Sequence, residues 1–120
     1  MNVIIIEDEV ACASVLKQEL AEIASTIEVV AVIPSIKEAV SFFTDYSLPI
    51  DLIFMDIKLT DGYAFEIFKN VTIIQPVIVV TAYNEYILRA LKMNSVDFLL
   101  KPINREELRN ALKKIQNLKT

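Results

Sequence analysis

Short apolar runs recur along the chain at nearly even spacing: Val3 to Ile6, Ile27 to Ile33, Leu52 to Met55, Val77 to Val80 and Val96 to Leu100. They are rich in Val and Ile and mostly lack polar alternation, the pattern of strands covered on both faces. Segments of helical period lie between them. Ile36, Ala39, Val40 and Phe43 follow i, i+3, i+4, i+7 spacing, and Ser35-Ile36-Lys37-Glu38 reads as a capping box. Leu108, Ala111, Leu112, Ile115 and Leu118 form a second stripe behind Asn104, a candidate N-cap. Helices are also predicted near 10–24, 63–70 and 85–93.

Five β-α units in so short a chain predict a parallel sheet with helices on both faces, an α/β fold. Right-handed crossovers favour a doubly wound arrangement, and five strands suit the flavodoxin-like order 2-1-3-4-5. No internal repeat, low-complexity tract or linker interrupts the pattern, so residues 1–120 read as one domain. Any second domain is expected outside them.

Composition narrows the chemistry. An apolar fraction of 54% fits a buried sheet, yet no run approaches the ~18–20 residues a membrane span needs. Residues 1–6 lead straight into Glu7-Asp8-Glu9, which does not make a secretory signal. Cys12 is the only cysteine, so no internal disulfide forms; it reads as a small buried hydrophobe on a helix, and the expected setting is a reducing cytoplasm. The absence of histidine removes the commonest general base, the commonest zinc ligand and any Ser-His or Cys-His pair. What remains is carboxylates, lysine, hydroxyls or a hard cation. The net charge of −4 argues against nucleic-acid binding by this domain alone. Arg105, Arg109 and Lys113 read as a solvated basic face of the last helix.

In such a sheet, ligands bind beyond the carboxyl ends of the strands, near the switch point between strands 1 and 3. Strand 1 runs into Glu7-Asp8-Glu9, strand 3 into Asp56, strand 4 into Thr81-Ala82 and strand 5 into Lys101-Pro102. Strand 2 ends uncharged, in Pro34-Ser35, and is expected at the edge. Taken singly, each polar residue fits a cap, a turn or a solvated strand end, and Asp61-Gly62 reads as a turn. Taken together they form a site. Clustered carboxylates repel unless cations share the space. Lys101 is one such cation, and oxygen-only ligands suit Mg²⁺ or Mn²⁺ as another. Mg²⁺ pairs one or two carboxylates with phosphate oxygens, which makes Asp56 a nucleophile toward phosphorus, with Thr81 and Lys101 on the phosphoryl oxygens.

The segments "VIIIEDE", "IFMDIKLTDG", "VIVVTAYNE" and "VDFLLKPI" resemble, in order and spacing, the successive signatures of response-regulator receiver domains. The "TAYNEY…DFLLKPI" portion is most similar to receivers joined to LytTR-type DNA-binding domains. The resemblance implies a two-component signalling switch in the cytoplasm, phosphorylated on Asp56 by a partner histidine kinase and acting through an output such as transcription. It implies no enzymatic turnover beyond self-phosphorylation and slow autodephosphorylation. Asp8 and Glu7 would serve the metal with Asp56 and the Lys58 backbone carbonyl. Thr81 and Phe98 would be the switch pair, and Lys101 the phosphate-contacting lysine, followed by a cis Pro102. Tyr83 and Lys58 would border the attacking water. The phosphorylated form would dimerise through the face of the fourth helix, fifth strand and fifth helix. Departures from the family pattern are Glu7 for the usual Asp, Phe98 where Tyr is frequent, and Asn94 where many members have glycine.

Two rivals use the same residues. A phosphate-independent receiver-like module would keep Glu7, Asp8 and Lys101 as a structural cluster. A haloacid-dehalogenase-like phosphatase also forms an aspartyl phosphate but needs Asp-x-Asp, and here the run is Asp56-Ile57-Lys58. A flavin site fits less well, because the loop after strand 1 is acidic where a phosphate needs donors.

Overall fold

The structure is a computed structural model describing residues 1–82 and 97–119. The predicted helix near 85–93, together with Tyr83, Asn94 and Val96, lies outside the described residues, as do the side chains beyond residue 116 and so that of Leu118. The order of elements is β1 (Asn2–Ile6), α1 (Val10–Ile23), β2 (Glu28–Ile33), α2 (Ile36–Thr44), β3 (Leu52–Met55), β4 (Lys58–Leu59), β5 (Gly62–Tyr63), α3 (Phe65–Asn70), β6 (Val77–Thr81), β7 (Asp97–Leu100) and a C-terminal helix (Arg105–Lys119).

Five strands form one parallel sheet in the order β2-β1-β3-β6-β7. This is the expected doubly wound arrangement, since β4 and β5 make a separate antiparallel ribbon. The unalternating strand sequences follow from burial on both sides. Ile4, Ile6, Ile53, Met55, Val77 and Val79 face the layer of α2 and α3. Val3, Ile5, Leu52, Phe54, Ile78 and Val80 face α1 and the C-terminal helix. Each fully buried Ile, Leu or Phe contributes about 2–3 kcal/mol by leaving water. The two apolar layers therefore carry the fold, and the sheet edge is left for polar work.

Both predicted N-caps form, although the Glu38 carboxylate accepts from the Ser35 hydroxyl and not from its N–H as a capping box would have it. Ser35 Oγ accepts from the Glu38 N–H at 3.1 Å, and Asn104 Oδ1 accepts from the Glu107 N–H at 3.0 Å. Two features differ from the sequence reading. The turn is Thr60-Asp61 rather than Asp61-Gly62, and Gly62 opens β5 with φ 139°, a conformation that L residues resist. A Cβ there would lie 3.2 Å from Ile36 Cδ1. The basic face of the last helix is not simply solvated either: Arg105 bonds Glu19 and Glu22 of α1. Among the described residues, no helix is long and apolar enough to cross a membrane.

Candidate phosphoacceptor and metal site

Four neighbouring strands deliver the site. β1 ends at Ile6, so Glu7 and Asp8 follow at its tip; Asp56 follows β3; Thr81 is the last residue of β6. Parallel register levels these ends, with Ile6 opposite Met55 and Thr81 opposite Leu100, and Lys101 comes next after β7. Backbone bonds lock the tips together: Asp56 N–H donates to Ile6 O at 2.9 Å, Glu7 N–H to Ile33 O at 3.0 Å, and Lys101 N–H to Thr81 O at 2.9 Å. The expected groups are thereby gathered at one edge. Glu7, Asp56 and Thr81 are the polar residues buried in the described part of the domain.

Lys101 Nζ donates to Glu7 Oε1 at 2.5 Å and to Asp56 Oδ2 at 2.9 Å. Two buried carboxylates thus share one ammonium, and the cluster keeps surplus negative charge. Burial pushes the Glu7 carboxyl up to about 7, with the Lys101 hydrogen bond pulling against it and the Asp56 charge adding to the rise. For Lys101, burial favours the neutral form, but its bonds to Glu7 and Asp56 prevail and hold the ammonium above its ordinary range. It stays charged.

The other Asp56 oxygen, Oδ1, is buried without a hydrogen-bond partner among the described residues. A buried carboxylate oxygen left unpaired is costly, and such an exception in a native fold calls for a reason. Glu7, Asp8 and Asp56 each present an oxygen within 4.8 Å of the others. Three convergent carboxylates with an unmet buried oxygen suit a hard divalent cation, so the residues present fit Mg²⁺ or Mn²⁺. A cleft of about 560 Å³ opens over them, lined by Asp8, Cys12, Asp56, Lys58, Thr60 and Lys101 among others.

Of the remaining expected residues, Lys58 is exposed on β4 and Phe98 is half-buried on β7, packed against the α2–α3 layer. The Lys101-Pro102 bond is cis. Cys12 corrects the sequence reading: it is only half-buried, its thiol donates to Glu9 Oε2 at 3.4 Å, and it borders the cleft. Its helical phase puts it beside the core position Ala13, on the side that faces the strand tips. Missed entirely was Thr60, whose hydroxyl donates to Asp8 Oδ2 at 2.9 Å. Its 52-residue separation leaves no local signal, and only the placement of both loops above one sheet edge hints at it.

A family profile described as the response regulator receiver domain matches residues 3–113. The sensory transduction protein LytT of Bacillus cereus is 30% identical over 99% of this chain and 48% of its own length. LytT of Enterococcus faecalis is 31% identical over 95% of this chain and 47% of its own. The chain thus spans about half the length of these curated relatives. Among solved structures, the response regulatory domain of protein mrkE from Klebsiella pneumoniae superimposes with a TM-score of 0.82 at 25% identity, covering 98% of this chain and 97% of that one. A response regulator receiver protein from Pseudoalteromonas atlantica shares the fold at a TM-score of 0.81 with 15% identity, over 100% of both chains.

Proposed function

The chain belongs to the response regulator receiver family, and from that premise we propose that it is a phosphorylation switch whose acceptor is Asp56. Response regulators receive phosphoryl groups from histidine kinases, and receiver domains bind Mg²⁺ at an acidic pocket. The observation that carries the reading is the carboxylate of Asp56. It is buried at a strand tip, with Lys101 on one oxygen and, among the described residues, no partner on the other, beside two further carboxylates.

In the proposed reaction an Asp56 oxygen attacks phosphorus. The bond from phosphorus to the kinase's histidine nitrogen breaks, and the nitrogen leaves with its electron pair. Glu7, Asp8, Asp56 and the Lys58 carbonyl would hold Mg²⁺ or Mn²⁺, and the ion would supply positive charge against the carboxylates and the incoming phosphoryl group. Lys101, already at Asp56, meets the charge on the incoming group. The Thr81 hydroxyl donates to a phosphoryl oxygen, and Phe98 repacks in the space Thr81 gives up. The readout is a changed surface on β7 and the C-terminal helix, through which the phosphorylated form dimerises. This surface drives an output, which we propose is transcription; relatives about twice as long are named sensory transduction proteins, which fits a signalling output.

The test is incubation with acetyl phosphate and Mg²⁺, followed by intact-mass measurement. One phosphoryl adduct is expected, lost with EDTA and lost in Asp56→Asn. No adduct in the parent chain, or one that persists in Asp56→Asn, sinks the proposal.

A further inference from the structure

The hairpin turn beyond Asp56 carries contacts that the phosphoryl chemistry does not use. Its first residue, Thr60, donates its hydroxyl to Asp8 Oδ2 at 2.9 Å. Its second, Asp61, accepts from the backbone N–H of Ile36 at 2.9 Å and of Lys37 at 3.1 Å, at the start of α2. The turn is therefore anchored on one side to a helix end and on the other to an acid of the pocket. Because Asp61 fixes the turn, the Thr60 hydroxyl acts from a fixed point.

The three pocket acids are held differently. Glu7 and Asp56 are both gripped by Lys101. Asp8, half-buried in the loop between β1 and α1, is gripped by Thr60. A loop carboxylate turns about two side-chain torsions, and a cation must order it on binding unless something else already has. A hydroxyl suits that task better than an ammonium. It uses one lone pair of the carboxylate, leaves the others for a metal, and brings no competing charge. Partners of this kind orient ligating carboxylates and tune metal affinity in other sites.

We propose that Thr60 is a positioning residue for the divalent cation: it orients the Asp8 carboxylate and so sets the Mg²⁺ concentration at which the switch can be charged. The proposal rests on the reading of the acidic pocket as the Mg²⁺ site. It goes beyond that reading by giving a role to a residue that is neither a ligand nor in contact with phosphate.

The experiment is direct calorimetric titration of MgCl₂ into the unphosphorylated chain, repeated with Mn²⁺ by electron paramagnetic resonance, for the parent, Thr60→Val, Thr60→Ala and Thr60→Ser. Thr60→Val and Thr60→Ala are expected to weaken binding about ten-fold, while Thr60→Ser, which keeps the hydroxyl, stays within about two-fold of the parent. The Mg²⁺ midpoint for acetyl phosphate labelling should move by the same factor. Thermal melts without metal show which variants are folded, and Thr60→Ala carries the comparison if Val is not tolerated. Parent-like affinity in the hydroxyl-free variants overturns the proposal, as does a Thr60→Ser loss equal to that of Val. If the parent chain binds no Mg²⁺ at all, the pocket reading itself fails, a result distinct from failure of the Thr60 role alone.

Discussion

Asp56 lies just before a short hairpin and Asp61 in its turn, and the same side chain does opposite things at the two places. Both carboxylate oxygens of Asp61 are taken by backbone N–H groups at the start of α2, so its bonding is closed and its role is to join two elements. Asp56 is buried, shares a single ammonium with Glu7, and among the described residues keeps one oxygen unpaired. The lesson is that a carboxylate's function follows from which of its lone pairs the fold leaves unmet. A saturated acid braces the structure; a buried half-saturated one is poised for a ligand or a reaction.

The largest way to test that contrast is exchange of each acid for its amide. Asp56→Asn should abolish phosphoryl uptake entirely while the domain stays folded, whereas Asp61→Asn should still take up phosphate, both read by intact mass. Next is Lys101→Ala, which leaves Glu7 and Asp56 facing each other with no ammonium between side chains that are each 6% exposed. Urea unfolding at neutral pH without divalent ions should show a loss of about 3 kcal/mol, partly recovered on adding Mg²⁺. Asp61→Ala removes only an exposed cap-like tether, and about 1 kcal/mol is the expected cost by the same measurement.

The smallest effect is in acid. The N–H of Ile36, joined by that of Lys37, holds the Asp61 carboxyl below its ordinary value of 3.8. The folded value is thus lower than the unfolded one, so this contribution is complete above 3.8 and disappears as pH falls through the folded value. The stability gap between parent and Asp61→Asn should narrow below about pH 4, by less than about 0.5 kcal/mol because the side chain is exposed. A gap that widens in acid would contradict the tether.

Much of this was legible in the chain itself, for physical reasons. Leu52 to Met55 announced β3 to the residue, because a strand buried on both faces cannot hide its apolar run. Ser35 and Asn104 announced their helices because caps are local. Asp8, Asp56, Thr81 and Lys101 could be placed at one edge because parallel strands align their carboxyl ends. The hairpin itself was not foreseen: Lys58-Leu59 and Gly62-Tyr63 are too short to show any period. Nor were the partners of Thr60 and Asp61, since contacts between loops depend on how two elements stack rather than on neighbours in sequence. Cys12 was misjudged because one step of helical phase separates the core from the rim of the cleft.

One consequence of the strand order concerns amide exchange. Strands β1, β3 and β6 each have a neighbour on both sides, and they end next to Glu7, at Asp56 and in Thr81. Amides in such strands exchange with deuterium only when the whole domain opens. Protection at Ile4 to Ile6, Ile53 to Met55 and Val79 to Thr81 therefore reports the global folding equilibrium. Glu7, Asp56 and the Thr81 hydroxyl are thus expected at the ends of the slowest-opening part of the molecule, while Asp8 shares the local fluctuations of the loop between β1 and α1.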